Sequence, residues 1–194
     1  MFKKLVLTLA LASISATAAA SVVVYSEDFE SYTSGLASSG STFATYTGAL
    51  GTWSVLGASV DTIKGGFGAI TNISLDLDGT PGPGGITRTI ATVAGHVYQL
   101  NFDYSGNGGA QPFSINFGGV NTNFSGSSAV TSFASGFFTA TGTSTTLSFQ
   151  GTSGGNSGAT IDNITVTDVP EPGVLGLLLG GLVAGGLVKR RAKQ

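Results

Sequence analysis

Cysteine is absent from all 194 residues, so neither a disulfide framework nor thiolate chemistry is open to this chain. Charge is almost as scarce: 9% of residues are Asp, Glu, Lys or Arg, against about a quarter in ordinary globular domains. Between Ser21 and Val169 the basic residues are Lys64 and Arg88 alone. They face nine acids (Glu27, Asp28, Glu30, Asp61, Asp76, Asp78, Asp103, Asp162 and Asp168), a formal charge of minus seven. With so few cations there is no surface to release phosphate counterions, and nucleic acid and other anionic polymers are poor partners. Metal cations are better ones. Histidine occurs once, as His96, so a Ser-His or Cys-His nucleophile has no evident set of partners. The same stretch shows no convincing amphipathic-helix period, and its Gly, Ser, Thr and Asn content describes a neutral, hydroxyl-rich surface. Its 149 residues suit one domain with a core large enough to dispense with disulfides.

Both ends read as addresses rather than as fold. Lys3 and Lys4 precede the apolar Leu5–Ile14, and Ala18-Ala19-Ala20 supplies the small residues a signal peptidase reads, so residues 1–20 are expected to be a secretory signal cut before Ser21. At the other end, Val169-Pro170-Glu171-Pro172 holds the backbone extended and lacks two amide donors, which makes it an exposed segment that no helix crosses. An uncharged run, Gly173–Val188, follows. Lipid admits such a run only as a helix, and the basic Lys189, Arg190, Arg191 and Lys193 would hold its end in the cytoplasm. Sixteen residues at about 1.5 Å each reach about 24 Å, short of the roughly 30 Å hydrocarbon core. That suits a temporary anchor better than a permanent stop-transfer helix.

The order of these three parts resembles the PEP-CTERM sorting tail of Gram-negative bacteria. The resemblance implies recognition and removal at Pro170-Glu171-Pro172 by an exosortase, a membrane transpeptidase. The mature protein would then be released to the envelope, cell surface or exopolysaccharide matrix.

Between the two ends, short apolar patterns alternate with Gly, Ser and Asn punctuation. Strands are expected at Val22–Tyr25, Phe43–Tyr46, Thr52–Leu56 and Ser59–Ile63, the last placing Val60 and Ile63 in the core. In Ser74–Asp78, Leu75 and Leu77 alternate with Asp76 and Asp78, which predicts a half-buried strand with solvated carboxylates. Ile86–Val93 and Val97–Tyr104 flank Ala94-Gly95, and Phe113–Phe117 is closed by Gly118-Gly119. Phe133–Thr141, Thr145–Gln150 and Ala159–Thr167 bring the series to about nine, with Phe43–Tyr46 and Thr52–Leu56 counted apart as brief extended stretches. Strands at this spacing without helices predict an all-β fold, an antiparallel β-sandwich of the jelly-roll kind over residues 21–168.

In the last strand Asp162 is in phase with Ile164 and Val166, so unless a bulge intervenes its carboxylate points toward the core and needs hydrogen bonds or a metal. If the first and last strands pair, Glu30, with Glu27 or Asp28, comes close to it. Oxygen ligands without His or Cys favour Ca²⁺; a turn cap or a set of backbone amides would also satisfy Asp162.

Asp28-Phe29-Glu30, Ser74-Leu75-Asp76-Leu77, the hairpin Thr92–Tyr98 with Phe102-Asp103, and the closing Ile161-Asp162-Asn163-Ile164-Thr165-Val166 together resemble the choice-of-anchor C family. Its members are jelly rolls similar to carbohydrate-binding modules, and the resemblance implies a structural Ca²⁺ near the termini, at Glu30 and Asp162. Trp53, the single tryptophan, could with Tyr46 and Tyr104 form a stacking platform for sugar, or could pack in the core. Asp76 and Asp78 make a carboxylate pair more suited to solvent than to glycosidase chemistry. The expectation is an exported, non-catalytic structural or adhesive component, or alternatively a module that recognises exopolysaccharide.

Overall fold

The computed structural model describes residues 20–169. The signal segment, Pro170 onward, the apolar span expected as a helix and the basic end lie outside those residues. Ser21–Val169 forms one compact unit. Its fourteen strands are β1 Val22–Glu27, β2 Thr42–Tyr46, β3 Ala49–Leu50, β4 Trp53–Gly57, β5 Val60–Lys64, β6 Ile73–Asp76, β7 Gly84–Ala91, β8 Val97–Gly106, β9 Phe113–Phe117, β10 Val120–Phe124, β11 Thr131–Ala134, β12 Phe138–Thr139, β13 Ser144–Gly151 and β14 Ala159–Val169. Sheet A runs β11-β8-β14-β6-β5-β2, with β1 also on β14 and β12 also on β8; sheet B runs β10-β9-β13-β7-β4-β3. All recorded pairings are antiparallel, so the expected sandwich forms.

The extra strands come from turns that composition alone misjudges. Gly118-Gly119 does not end its segment. With φ of +62° and +84° the two glycines make a reverse turn that pairs β9 with β10, Phe117 opposite Val120. The segment expected as one strand over Phe133–Thr141 is two short ones, each laid on a different part of β8. Period-two alternation does place the core. Tyr98, Leu100 and Phe102 of β8 are buried against Ile86, Phe113, Leu147 and Phe149 of sheet B, and the Phe102 ring lies 5.1 Å from Phe149 edge-to-face. The same alternation corrects one assignment. Val60 and Ile63 are three apart on β5 and so face opposite ways; Val60 joins the core, while Ile63 is buried outside it, on the outward side of sheet A.

β14 organises sheet A. One of its edges is taken by β8 along the strand. The other is shared in tandem, with β1 on Ile164–Asp168 and β6 on Thr160 and Ile161. At the handover the register slips between Asp162 and Thr165, and Asn163 sits at φ +50°. This bulge intervenes in the phase expected for the last strand: Ile161 and Ile164 both enter the core, and Asp162 points away from it. Asp162 is nonetheless fully buried, because the loop between β5 and β6 folds over the outward face. Thr160 Oγ1 donates to Gly68 O at 2.8 Å, and Ile70 N donates to Ser74 Oγ at 2.8 Å.

Asp76 and Asp78 are likewise corrected. Neither is solvated; they are 1% and 0% exposed. Asp76 faces outward opposite Asp61 of β5, but Asn107 Nδ2 and the amides of Asp78 and Gly158 close over it at 2.9–3.0 Å. Asp78 accepts from Ser153 N and Ser153 Oγ.

Candidate functional site

Two regions carry chemistry. The first is the handover on β14. Residues 30 and 162 are far apart in sequence, yet they meet at one hydroxyl: Thr71 Oγ1 lies 2.6 Å from Asp162 Oδ2, 3.0 Å from Glu30 Oε1 and 3.2 Å from the carbonyl of Ile73. A hydroxyl has one proton, so three acceptors compete for it; Ser74 Oγ supplies Asp162 Oδ2 with a second donor at 2.8 Å. Glu30 is further held by Ile73 N at 3.0 Å and Asn72 Nδ2 at 2.8 Å. Burial pushes the Glu30 carboxyl up, but the donors Asn72, Ile73 and Thr71 outweigh it and hold the group below its ordinary value. For Asp162, burial dominates over the donors Thr71, Ser74 and Asn163, and with Glu30 nearby the group is held above its ordinary value.

Of the acids expected near Asp162, β1–β14 pairing brings only Glu30 into this hydrogen-bonded set. Asp28 caps Glu30 N at 3.2 Å. Glu27 turns to the interior, where Oε2 accepts from Tyr25, Tyr32 and Trp53 Nε1, each at 3.3 Å. Burial and this carboxylate push the Tyr32 phenol up to about 12. A groove of about 220 Å³ at the β1–β14 junction, lined by Ser26, Glu27, Asp28, Asn163, Ile164 and Thr165, is below the roughly 300 Å³ of the smaller ligand pockets. Among the described residues no three His, Cys, Asp or Glu side chains converge to hold a metal. A cation at Glu30 and Asp162 would therefore rest on two carboxylates and neutral oxygens.

The aromatic platform does not form. Trp53 is 1% exposed and packs on Tyr25 and Phe149, so its face is not available to a sugar. Tyr46 lies on β2, its hydroxyl donating to Ser34 O, and Tyr104 packs with Phe102 and Phe113 on β8. His96 gains a partner the sequence did not show: its Nδ1 is 2.8 Å from Asp168 Oδ2, across the end of β14.

The second region is the outward face of sheet B. The register aligns Ser54 of β4, Thr87 of β7, Ser148 of β13, Asn116 of β9 and Asn121 of β10 in one row. A neighbouring row holds Gln150, Ser114 and Asn123, and Thr89 lies opposite Thr146. At about 4.8 Å per strand, the six strands make a face about 24 Å wide. Its outward positions carry amides and hydroxyls, with Ala49, Leu56 and Ala91 toward its margins, and neither a charge nor an aromatic ring. Arg88, in phase with the inward Ile86 and Ile90, stacks instead over Tyr25 with Cζ 3.9 Å from the ring centroid. Sequence reasoning misses these rows, although the signal is there: Asn116 lies between Ile115 and Phe117, and Ser148 between Leu147 and Phe149.

No protein-family model matches the chain, and no curated protein matches it. Among solved structures, it is similar to a β-1,4-mannanase of Podospora anserina that includes a family 35 carbohydrate-binding module, at 20% identity and a TM-score of 0.42, covering 67% of this chain and 28% of that one. It is also similar to a xylan-binding family 22 module from Paenibacillus barcinonensis (13% identity, 79% and 98% covered, TM-score 0.47). A third is a family 35 carbohydrate-binding module from Clostridium thermocellum (12%, 64% and 97%, TM-score 0.41). The chain spans little more than a quarter of the mannanase's length. All three are distant likenesses of shape.

Proposed function

We propose that this is an exported, non-catalytic β-sandwich that binds neutral polysaccharide through the outward face of sheet B, acting as an adhesive component of the envelope or extracellular matrix. The observation that carries the reading is the row Ser54–Thr87–Ser148–Asn116–Asn121, a wide, uncharged strip of donors and acceptors on a rigid sheet. Such a strip can exchange hydrogen bonds with water for hydrogen bonds with sugar hydroxyls and leaves no charge to desolvate. Export rests on the two ends of the sequence: a signal peptidase site before Ser21, and a Pro170-Glu171-Pro172 tail for an exosortase, with Gly173–Val188 as a transient membrane anchor.

Structural Ca²⁺ belongs to the same reading. Glu30 and Asp162 would hold it, with Thr71 Oγ1 and the Ile73 carbonyl as neutral ligands. The donor set is chemically suited, hard oxygens only, and the ion would displace hydrogen bonds that these carboxylates already accept from Asn72, Ile73, Ser74 and Asn163. The ion would pin β1 and the β5–β6 loop to β14.

Sheet B is tested by Ser148→Glu, which sets a charge at the centre of the row. In affinity gels containing neutral polysaccharides such as hydroxyethyl cellulose, xyloglucan or galactomannan, the full-length chain should be retarded and the variant at least tenfold less so. Equal retardation of both would remove sheet B from the reading.

A further inference from the structure

The outward side of sheet A carries the feature that sheet B lacks. Phe43 on β2 and Phe67 in the β5–β6 loop are 45% and 38% exposed, and their rings meet edge-to-face with centroids 5.9 Å apart. Neither belongs to the core. Phe67 also has φ +58°, a left-handed backbone that a bulky residue adopts only when its surroundings impose it.

The loop is built to impose it. A Cβ on Gly65 would meet Gly40 O at 2.7 Å, one on Gly66 would meet Ser41 Oγ at 2.5 Å, and one on Gly68 would meet Gly106 O at 2.6 Å. The three glycines press the loop onto its neighbours on both sides of Phe67. Ser41 Oγ donates to Gly65 O at 3.0 Å, and Thr160, fully buried, donates to Gly68 O. An apolar ring is thus held partly in water, at a cost in backbone strain, by a loop with little freedom to withdraw it. Thr45, two residues beyond Phe43, shares its face of β2, and Ser41 immediately precedes the strand.

The size of the patch selects its occupant. At about 200 Å² per aromatic side chain the two rings expose about 170 Å², against the roughly 800 Å² per partner of a stable protein interface. A second copy of this chain or another protein would need far more. One pyranose ring does not: its apolar C–H face matches one aromatic face, and its hydroxyls reach neighbours such as Ser41 and Thr45.

We infer that Phe43 and Phe67 form a second carbohydrate contact, on the outward face of the sheet opposite the polar rows, so that one domain holds two polysaccharide chains and cross-links them. The contact itself stands on the aromatic pair; the cross-linking rests also on the reading of sheet B. Two sites on one rigid body give avidity on a polymer and none on a free monosaccharide.

The test mixes the full-length chain with hydroxyethyl cellulose, xyloglucan or galactomannan and reads turbidity for cross-linking and gel retardation for binding. Phe67→Gly removes the ring and occupies φ +58° without strain, so the loop keeps its course; Phe43→Ser, at an exposed edge position, completes the double variant. Wild type should cloud the polymer. The double variant should not cloud it, yet should remain retarded through sheet B, about tenfold more weakly; Ser148→Glu should likewise be retarded without clouding. Clouding by the double variant at the wild-type level overturns the aromatic contact and leaves sheet B standing. Loss of retardation in the double variant with none in Ser148→Glu does the reverse. A wild type that binds none of the three polymers overturns both.

Discussion

Replacing Asp76 by Asn should stabilise the protein at pH 8 and flatten its stability between pH 4 and 7. Burial pushes the Asp76 carboxyl from 3.8 up to about 7, against the donors Asn107, Asp78 N and Gly158 N and with a further push from Asp78. The group is thus protonated in the folded chain over a pH range in which the unfolded chain has released the proton. With more protons bound folded than unfolded, stability falls as pH rises through that window and levels off above about 7. The rise from 3.8 to about 7 corresponds to a ceiling of roughly 4 kcal/mol. An asparagine there has no proton to lose, and a reoriented Asn107 amide can offer it oxygen. The expected gain at pH 8 is about 2 kcal/mol, or about 4–8 °C in Tm for a domain of this size. Denaturant unfolding at pH 4.5 and pH 8 checks it, and parallel pH profiles for wild type and variant would refute the assignment.

Calcium should produce an effect of similar size. Ca²⁺ at a hundredfold excess over its Kd would add about 2.7 kcal/mol, some 5–10 °C in Tm, and EDTA should remove it. Asp162→Asn takes away one of the two carboxylates and should abolish the difference between calcium and EDTA, while folding itself persists because the new amide oxygen still accepts from Thr71 or Ser74. A wild-type melting temperature unmoved by EDTA would exclude the ion. Protons oppose calcium here: Asp162 is held above its ordinary value, so the calcium shift should shrink as pH falls toward the carboxylate range.

The strands are legible because their apolar residues alternate. Tyr98, Leu100 and Phe102 announce β8 and its buried face in a way that no competing pattern obscures. What period two cannot show is a slip in the period itself. One extra residue at Asn163 reverses the side on which Asp162 lies, and no local composition marks it. Burial of polar residues is hidden for a different reason. Asp76 alternates correctly with Leu75 and Leu77, but the residues that cover it, Asn107 and Gly158, belong to remote loops brought over it by topology.

The candidate sites divide along the same line. Glu30 and Asp162 can be paired from sequence because first and last strands often adjoin, whereas the Thr71 hydroxyl that joins them sits in a loop without pattern. Trp53 reads as a platform because a single tryptophan attracts that role. Its position in β4, beneath Tyr25 and against Phe149, decides for the core. Phe43 and Phe67 read as ordinary apolar residues in the sequence; only the fold shows that they stand outside the core.

The central claim is that sheet B is a carbohydrate face, and amide chemical-shift mapping of the full-length chain during titration with hydroxyethyl cellulose, xyloglucan or galactomannan tests it most directly. The account expects shifts concentrated at Ser54, Thr87, Asn116, Asn121 and Ser148, with a separate group at Phe43 and Phe67. Saturable binding whose shifts bypass the sheet B row would contradict it.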